Sequence, residues 1–132
     1  TLHTNDAASA VTRLIDMGIE PFLLSSSLLG VLGQRLVRKL CPHCKEADPA
    51  VGGWRAVGCG HCGHTGYLGR TGIYELLTVN DEIRMLVHQG SNDADMRRVA
   101  EKNGMTNMRA DAQRWIKTGV TSQEETLRVT RE

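Results

Sequence analysis

Aromatic residues make up only 4% of this 132-residue sequence: two Trp, two Tyr and one Phe. So few rings provide little stacking surface for single-stranded nucleic acid. Charge of one sign is also scarce. Sixteen Lys and Arg against fifteen Asp and Glu leave a formal net charge of +1, so no strong field draws the chain to a polyanion or an anionic membrane. No apolar run approaches the roughly 20 residues needed to span a bilayer. The pattern Gly-x-x-x-x-Gly-Lys-Ser/Thr is missing, so the sequence holds no phosphate-cradling P-loop. It starts Thr1-Leu2-His3, with neither an initiating methionine nor a basic-then-apolar leader. The expectation is a segment or processed chain from a compartment that keeps thiols reduced. The length suits one domain with a real core.

All four cysteines fall in two Cys-x-x-Cys pairs, Cys41-Pro42-His43-Cys44 and Cys59-Gly60-His61-Cys62, separated by fourteen residues. Each pair makes a tight loop that aims two sulfurs at one point, and two such loops complete the closed tetrahedral site of a structural zinc. The competing chemistries are weaker. Disulfides need an oxidising compartment, and a thioredoxin-like site needs a single pair at a helix start. His43, His61 and His64 leave one alternative open, in which a histidine replaces a cysteine as ligand. Glycines at 58, 60, 63, 66, 69 and 72 suit tight turns beneath the sulfurs. No nucleophile-elbow context singles out a serine. From its residues alone, the chain is a zinc-stabilised piece without a complete catalytic site.

Pattern and punctuation predict a helix over 6–17, capped by Asn5 or Asp6 and stopped by Gly18. A second runs from Pro21 to about 32, with Ser25-Ser26-Ser27 as small packing residues. Residues 34–40 and 71–78 read as antiparallel strands, with the cysteine loops extruded between them. The stretch between the cysteine pairs reads as a polar loop with Trp54 as its one large apolar residue. Further helices are expected at 81–89 from Asn80 or Asp81, at 93–103 from Ser91 or Asp93, and at 107–118. Ser122 and Glu125 form a capping box for a last helix.

Several segments carry a resemblance. Thr1-Leu2-His3-Thr4-Asn5, Thr12-Arg13-Leu14 and Asp16-Met17-Gly18 resemble the region that begins at the histidine box of secretion ATPases. Glu20-Pro21-Phe22-Leu23-Leu24-Ser25-Ser26-Ser27-Leu28-Leu29-Gly30 continues it. So do Gln34-Arg35-Leu36-Val37-Arg38, the four cysteines, Gly69-Arg70-Thr71-Gly72-Ile73-Tyr74-Glu75, and the closing Thr121-Ser122 and Arg128-Val129-Thr130. Together they resemble the C-terminal part of type II secretion ATPases, the E subunits, and the related type IV pilus assembly ATPases share much of the pattern. Two departures stand out: a short loop between the cysteine pairs, and Gly33 where alanine is usual.

The resemblance implies an α/β fold, the C-terminal part of a RecA-like ATPase domain with a small tetracysteine zinc-binding subdomain and a C-terminal helical subdomain. Residues 1–40 would belong to the core, 41–70 to the zinc-binding subdomain, 71–79 to a returning core strand and 80–132 to the helical subdomain. It implies a homo-hexamer, cytoplasmic and peripheral at the bacterial inner membrane, that uses ATP and Mg in the full-length protein. That protein would work on membrane platform subunits to assemble a pseudopilus and export proteins, while this segment, lacking Walker A and B motifs, would be inactive alone. His3 would lie near the γ-phosphate and sense it. Cys41, Cys44, Cys59 and Cys62 would hold the structural zinc. Arg35 and Arg38 would be candidates to meet a neighbouring subunit or a nucleotide. A different class, the autonomous zinc-binding module for nucleic acid or protein, predicts a basic face. Between the pairs Lys45 and Arg55 are balanced by Glu46 and Asp48, so no nucleic-acid partner is expected.

Overall fold

The computed structural model describes residues 1–131. Its elements are α1 (Ala7–Asp16), α2 (Pro21–Ser27), β1 (Gly30–Leu40), β2 (Glu46–Asp48), β3 (Gly53–Arg55), a 3-10 turn (Gly60–Cys62), β4 (Tyr67–Thr78), α3 (Asp81–His88), α4 (Asp93–Lys102), α5 (Met108–Asp111), α6 (Gln113–Lys117) and α7 (Gln123–Val129). β1 pairs with β4, and β2 pairs with β3. Val79 N–H donates to the Leu29 carbonyl at one end of the long pair, and Cys41 N–H to the Gly66 carbonyl at the other. These bonds make β1 and β4 antiparallel. The chain forms two compact units, residues 1–33 with 75–107 and residues 34–74 with 108 onward.

In the first unit the Asp6 carboxylate accepts the Ser9 N–H and caps α1, as expected. Ala7, Ala8 and Val11 of α1 pack with Leu24, Leu77, Val79, Ile83, Val87, Met96 and Ala100 in one core. Arg97 of α4 reaches back to Asp6 at 2.7 Å and so ties α4 to the capped end of α1. Buried Glu75 sends a carboxylate oxygen 2.7 Å from the Ala7 N–H, so an acidic group sits at the positive end of the α1 dipole. A Cβ on Gly33 would stand 3.0 Å from the Glu75 side chain. Glycine at position 33 therefore leaves Glu75 room to reach the helix.

Three elements differ from the sequence expectation here. The helix from Pro21 ends at Ser27, not near 32, and β1 begins at Gly30. The Ser25, Ser26 and Ser27 hydroxyls fold back onto the carbonyls of Phe22 and Leu23, and Leu28 turns extended. Pairing with β4 then claims the residues that follow, overriding the helical preference of leucine. The cap of α4 is Asn92, whose side chain accepts the Asp95 N–H, and not Ser91 or Asp93. The cap of α3 is Asn80, one of the two residues expected.

The second unit has a smaller core of Val37, Ile73, Met108 and Ala112, with Trp115 and Val129 against it. The helix expected over 107–118 is two short helices, α5 and α6, that meet at Ala112. The stretch between the cysteine pairs contains a hairpin that the sequence reading took as loop: Ala47 pairs with Trp54, flanked by Glu46 with Arg55 and Asp48 with Gly53. β3 packs against α6 and α7. This contact with distant helices gives so short a strand its reason to form. Among the described residues, no helix is long and apolar enough to cross a membrane.

Candidate metal centre

The sulfurs of Cys41, Cys44, Cys59 and Cys62 all lie within 4.8 Å of one another. Sγ–Sγ separations are 3.8 Å for Cys41–Cys59 and 3.9 Å for both Cys44–Cys62 and Cys59–Cys62. A disulfide would need about 2.0 Å. Four soft donors at this spacing are close enough to hold one metal ion.

Local backbone explains how the sulfurs come together. Cys41 follows the last residue of β1, and Gly66, whose carbonyl accepts its N–H, leads into β4. The paired strands thus deliver both loops to one place. Backbone donors then converge on sulfur. Gly58 N–H reaches Cys44 Sγ at 3.3 Å, while Cys59 N–H and Gly66 N–H each reach Cys62 Sγ at 3.2 Å. Gly58 and Gly66 have φ of +114° and +84°. A Cβ on Gly58 would come 2.8 Å from the His64 carbonyl oxygen, and one on Gly66 would come 2.5 Å from the Ala56 Cβ. Only glycine fits these sharp bends.

The donors also set the charge. Burial raises the Cys62 thiol, but the N–H groups of Cys59 and Gly66 and the thiols of Cys44 and Cys59 outweigh it, and the pKa falls to about 6 from an ordinary 9.0. The Cys44 thiol is pushed up to about 11 by burial and by the three neighbouring thiols, with the Gly58 N–H opposing. Cys41 and Cys62 are buried.

Around the sulfurs lie contacts that the sequence reading did not find. The His43 and His61 rings stack with centroids 3.9 Å apart and planes inclined by 19°. The repeated Cys-x-His-Cys pattern was the available signal. Lys45, directly after Cys44, donates to the Gly119 carbonyl at 2.8 Å and lies over the Trp54 ring at 4.9 Å. It thereby joins the first cysteine loop to the hairpin and to the end of α6, where a cation is favourable.

Arg38 is absorbed within its own unit. Its guanidinium lies 4.2 Å from the Tyr67 ring centre and 2.8 Å from Glu125 Oε2. The Glu125 side chain is fully buried and also accepts from the Arg38 N–H at 3.1 Å and from Arg128 at 2.7 Å. Thr121 donates to the Arg38 carbonyl, and Tyr67 bonds Ser122. Half of the expected capping box forms: Ser122 Oγ accepts the Glu125 N–H. The Glu125 carboxylate goes instead to the two arginines, because charged donors bind a buried carboxylate more strongly than one backbone N–H does. His3 is exposed in the segment before α1, in the first unit, whereas the cysteines belong to the second.

The family described as type II/IV secretion system protein matches residues 1–128. The Pseudomonas aeruginosa type II secretion system protein HxcR is 64% identical over all of this chain, which covers 28% of that relative. The Vibrio cholerae type II secretion system ATPase E is 48% identical over the whole chain, with 29% of its own length covered. The type IV pilus assembly ATPase TfpB of Acinetobacter baylyi is 45% identical over 98% of the chain and 25% of its own length. The chain thus spans between a quarter and a third of these relatives. The crystal structure of the pilus retraction motor PilT with bound ADP superposes with a TM-score of 0.65 at 23% identity, covering all of this chain and 32% of that one. At that identity the likeness concerns the fold alone, which is α/β. With the family matched from Thr1 to Arg128, this chain belongs to the type II/IV secretion system proteins.

Proposed function

We propose that this chain is the C-terminal part of an ATPase that powers type II secretion, and that its cysteines hold one structural zinc ion. The observation that carries the metal assignment is the spacing of the four sulfurs. Ligands about 2.3 Å from a tetrahedral zinc stand about 3.8 Å apart along each edge. Three of the six edges, at 3.8 and 3.9 Å, match that value, and all six lie within 4.8 Å. The N–H groups aimed at Cys44 and Cys62 suit thiolate sulfur, and outer-shell donors of this kind orient and tune metal ligands. Four cysteine ligands leave no open position, so the ion shapes the loops and does no chemistry. Metal binding would add to the packing of β3 on α6 and α7, so part of its binding energy becomes folding energy.

For the full-length protein, the reading is a homo-hexameric ATPase that uses ATP and Mg, is cytoplasmic and peripheral at the inner membrane, and drives platform subunits in pseudopilus assembly. Support comes from the relatives' own names, type II secretion system protein and ATPase E. We assign 1–40 and 71–79 to the RecA-like core, 41–70 to the zinc subdomain and 80–132 to a helical coupling region. His3 is assigned to sensing the γ-phosphate by hydrogen bonding. Hydrolysis is assigned to Walker motifs that this 132-residue sequence does not contain. The zinc loops are assigned to contact with the platform or an adjacent subunit. A type IV pilus role is the second reading, supported by the 45% identity to the Acinetobacter baylyi pilus ATPase. A free-standing nucleic-acid module is disfavoured, because Arg55 between the cysteine pairs is paired with Glu46 at 2.7 Å.

Two measurements test this reading. Intact mass under native and denaturing conditions should differ by one zinc ion per chain. Replacing Cys59 and Cys62 by serine in the full-length protein should stop secretion and spare ATP binding. Normal secretion by that variant would sink the functional assignment of the loops.

A further inference from the structure

We propose that His43 and His61 form a clasp that holds the two cysteine loops at metal-binding separation, as positioning residues and not as ligands. The inference rests on the metal reading above. Each ring belongs to a different loop, directly before a cysteine, Cys44 in one and Cys62 in the other. The paired strands and the backbone bonds bring the bases of the loops together, and the two rings add a direct side-chain contact between the loops themselves. The stack, with centroids at 3.9 Å and planes within 19°, forms only when the loops stand together.

Two features exclude the obvious alternatives. Imidazole lone pairs lie in the ring planes, and rings so nearly parallel aim them side by side. They therefore cannot converge on an ion between them, and the pair is not a second chelate. Both residues are exposed, so the stack is not a by-product of a buried core. Four sulfurs already satisfy a tetrahedral ion, which leaves the rings free to meet each other. Holding ligands in place beforehand lowers the ordering cost that binding would otherwise meet. A stacked aromatic pair corresponds to roughly a two- to tenfold change in an equilibrium constant.

The test uses the whole chain loaded with Zn²⁺ and a chromophoric chelator as competitor, with Co²⁺ substitution as a second readout. His43→Ala and His61→Ala are each expected to weaken zinc retention roughly two- to tenfold. The double variant should be no weaker than either single one, since removing one ring already abolishes the stack. Joint replacement by phenylalanine, which stacks but cannot ligate, should restore retention. The cobalt–thiolate absorption should stay the same throughout. Additive losses, no loss, or failure of the phenylalanine pair would overturn the clasp while leaving a wild-type site that binds one ion. An altered cobalt spectrum in the alanine variants would make histidine a ligand and also overturn it. If the wild-type chain retains no zinc, the metal reading fails, and the clasp fails with it.

Discussion

Replacing Glu125 by glutamine removes one negative charge at nearly constant shape, from the polar junction between β1 and α7. The Glu125 side chain has no exposed surface, and it accepts from the Arg38 backbone and from both the Arg38 and Arg128 guanidinium groups. Burial alone would raise its pKa, but the Arg128 and Arg38 bonds win and lower it from 4.5 to about 2. The unfolded chain therefore takes up this proton more readily, and the contribution to stability is full above pH 4.5 and lost as pH falls toward 2. At about 1.4 kcal/mol per pH unit, that gap corresponds to about 3 kcal/mol. The two arginine side chains are 43% and 57% exposed, so water screens part of the interaction. The expected loss for Glu125→Gln at pH 7 is about 2 kcal/mol. Urea melts should be used, because a denaturing salt would screen the charges. Any metal lost in acid is lost from wild type and variant alike. Their difference isolates Glu125, and it should shrink to zero between pH 4.5 and 2. A difference independent of pH would refute the reasoning.

Gly66→Ala should cost about 2 kcal/mol or more, because a Cβ there meets Ala56 in a left-handed backbone. The same change should speed zinc release, since the Gly66 N–H bonds Cys62; thermal melts with and without chelator separate the two effects. Cys62→Ser should abolish retention of the ion, read by native mass, and lower the melting temperature of the metal-loaded chain only. In the first unit, Arg97→Ala should destabilise the chain by about 1 kcal/mol, the range of a partly buried ion pair. Hydrogen exchange should then quicken in α1 and α4, which Arg97 joins through Asp6. Asn80→Ala should cost about 1 kcal/mol through loss of the α3 cap, measured by urea melts.

Much was legible where local chemistry decides. Asp6, Asn80 and Ser122 cap the helices expected of them, since a side-chain oxygen and an N–H three residues on need nothing distant. The cysteine spacing was equally readable, and the four sulfurs do meet. Failures came where distant segments compete. Gly30 to Leu32 read as helix, but the returning strand takes those residues into β1. Trp54 read as a loop residue, but α6 and α7 provide a surface for its hairpin. Glu125 read as a cap, and Arg38, 87 positions away, claims its carboxylate.

By itself, then, the sequence determined the caps at Asp6, Asn80 and Ser122, the cysteine cluster and the family. Those depend on short-range geometry or on residue identity read in order. Tertiary structure decided the length of β1, the fate of Arg38 and the meeting of His43 with His61. Each of these depends on which groups become neighbours once the chain closes on itself, and a buried charge or an unpaired strand takes the strongest partner within reach, however far away in sequence.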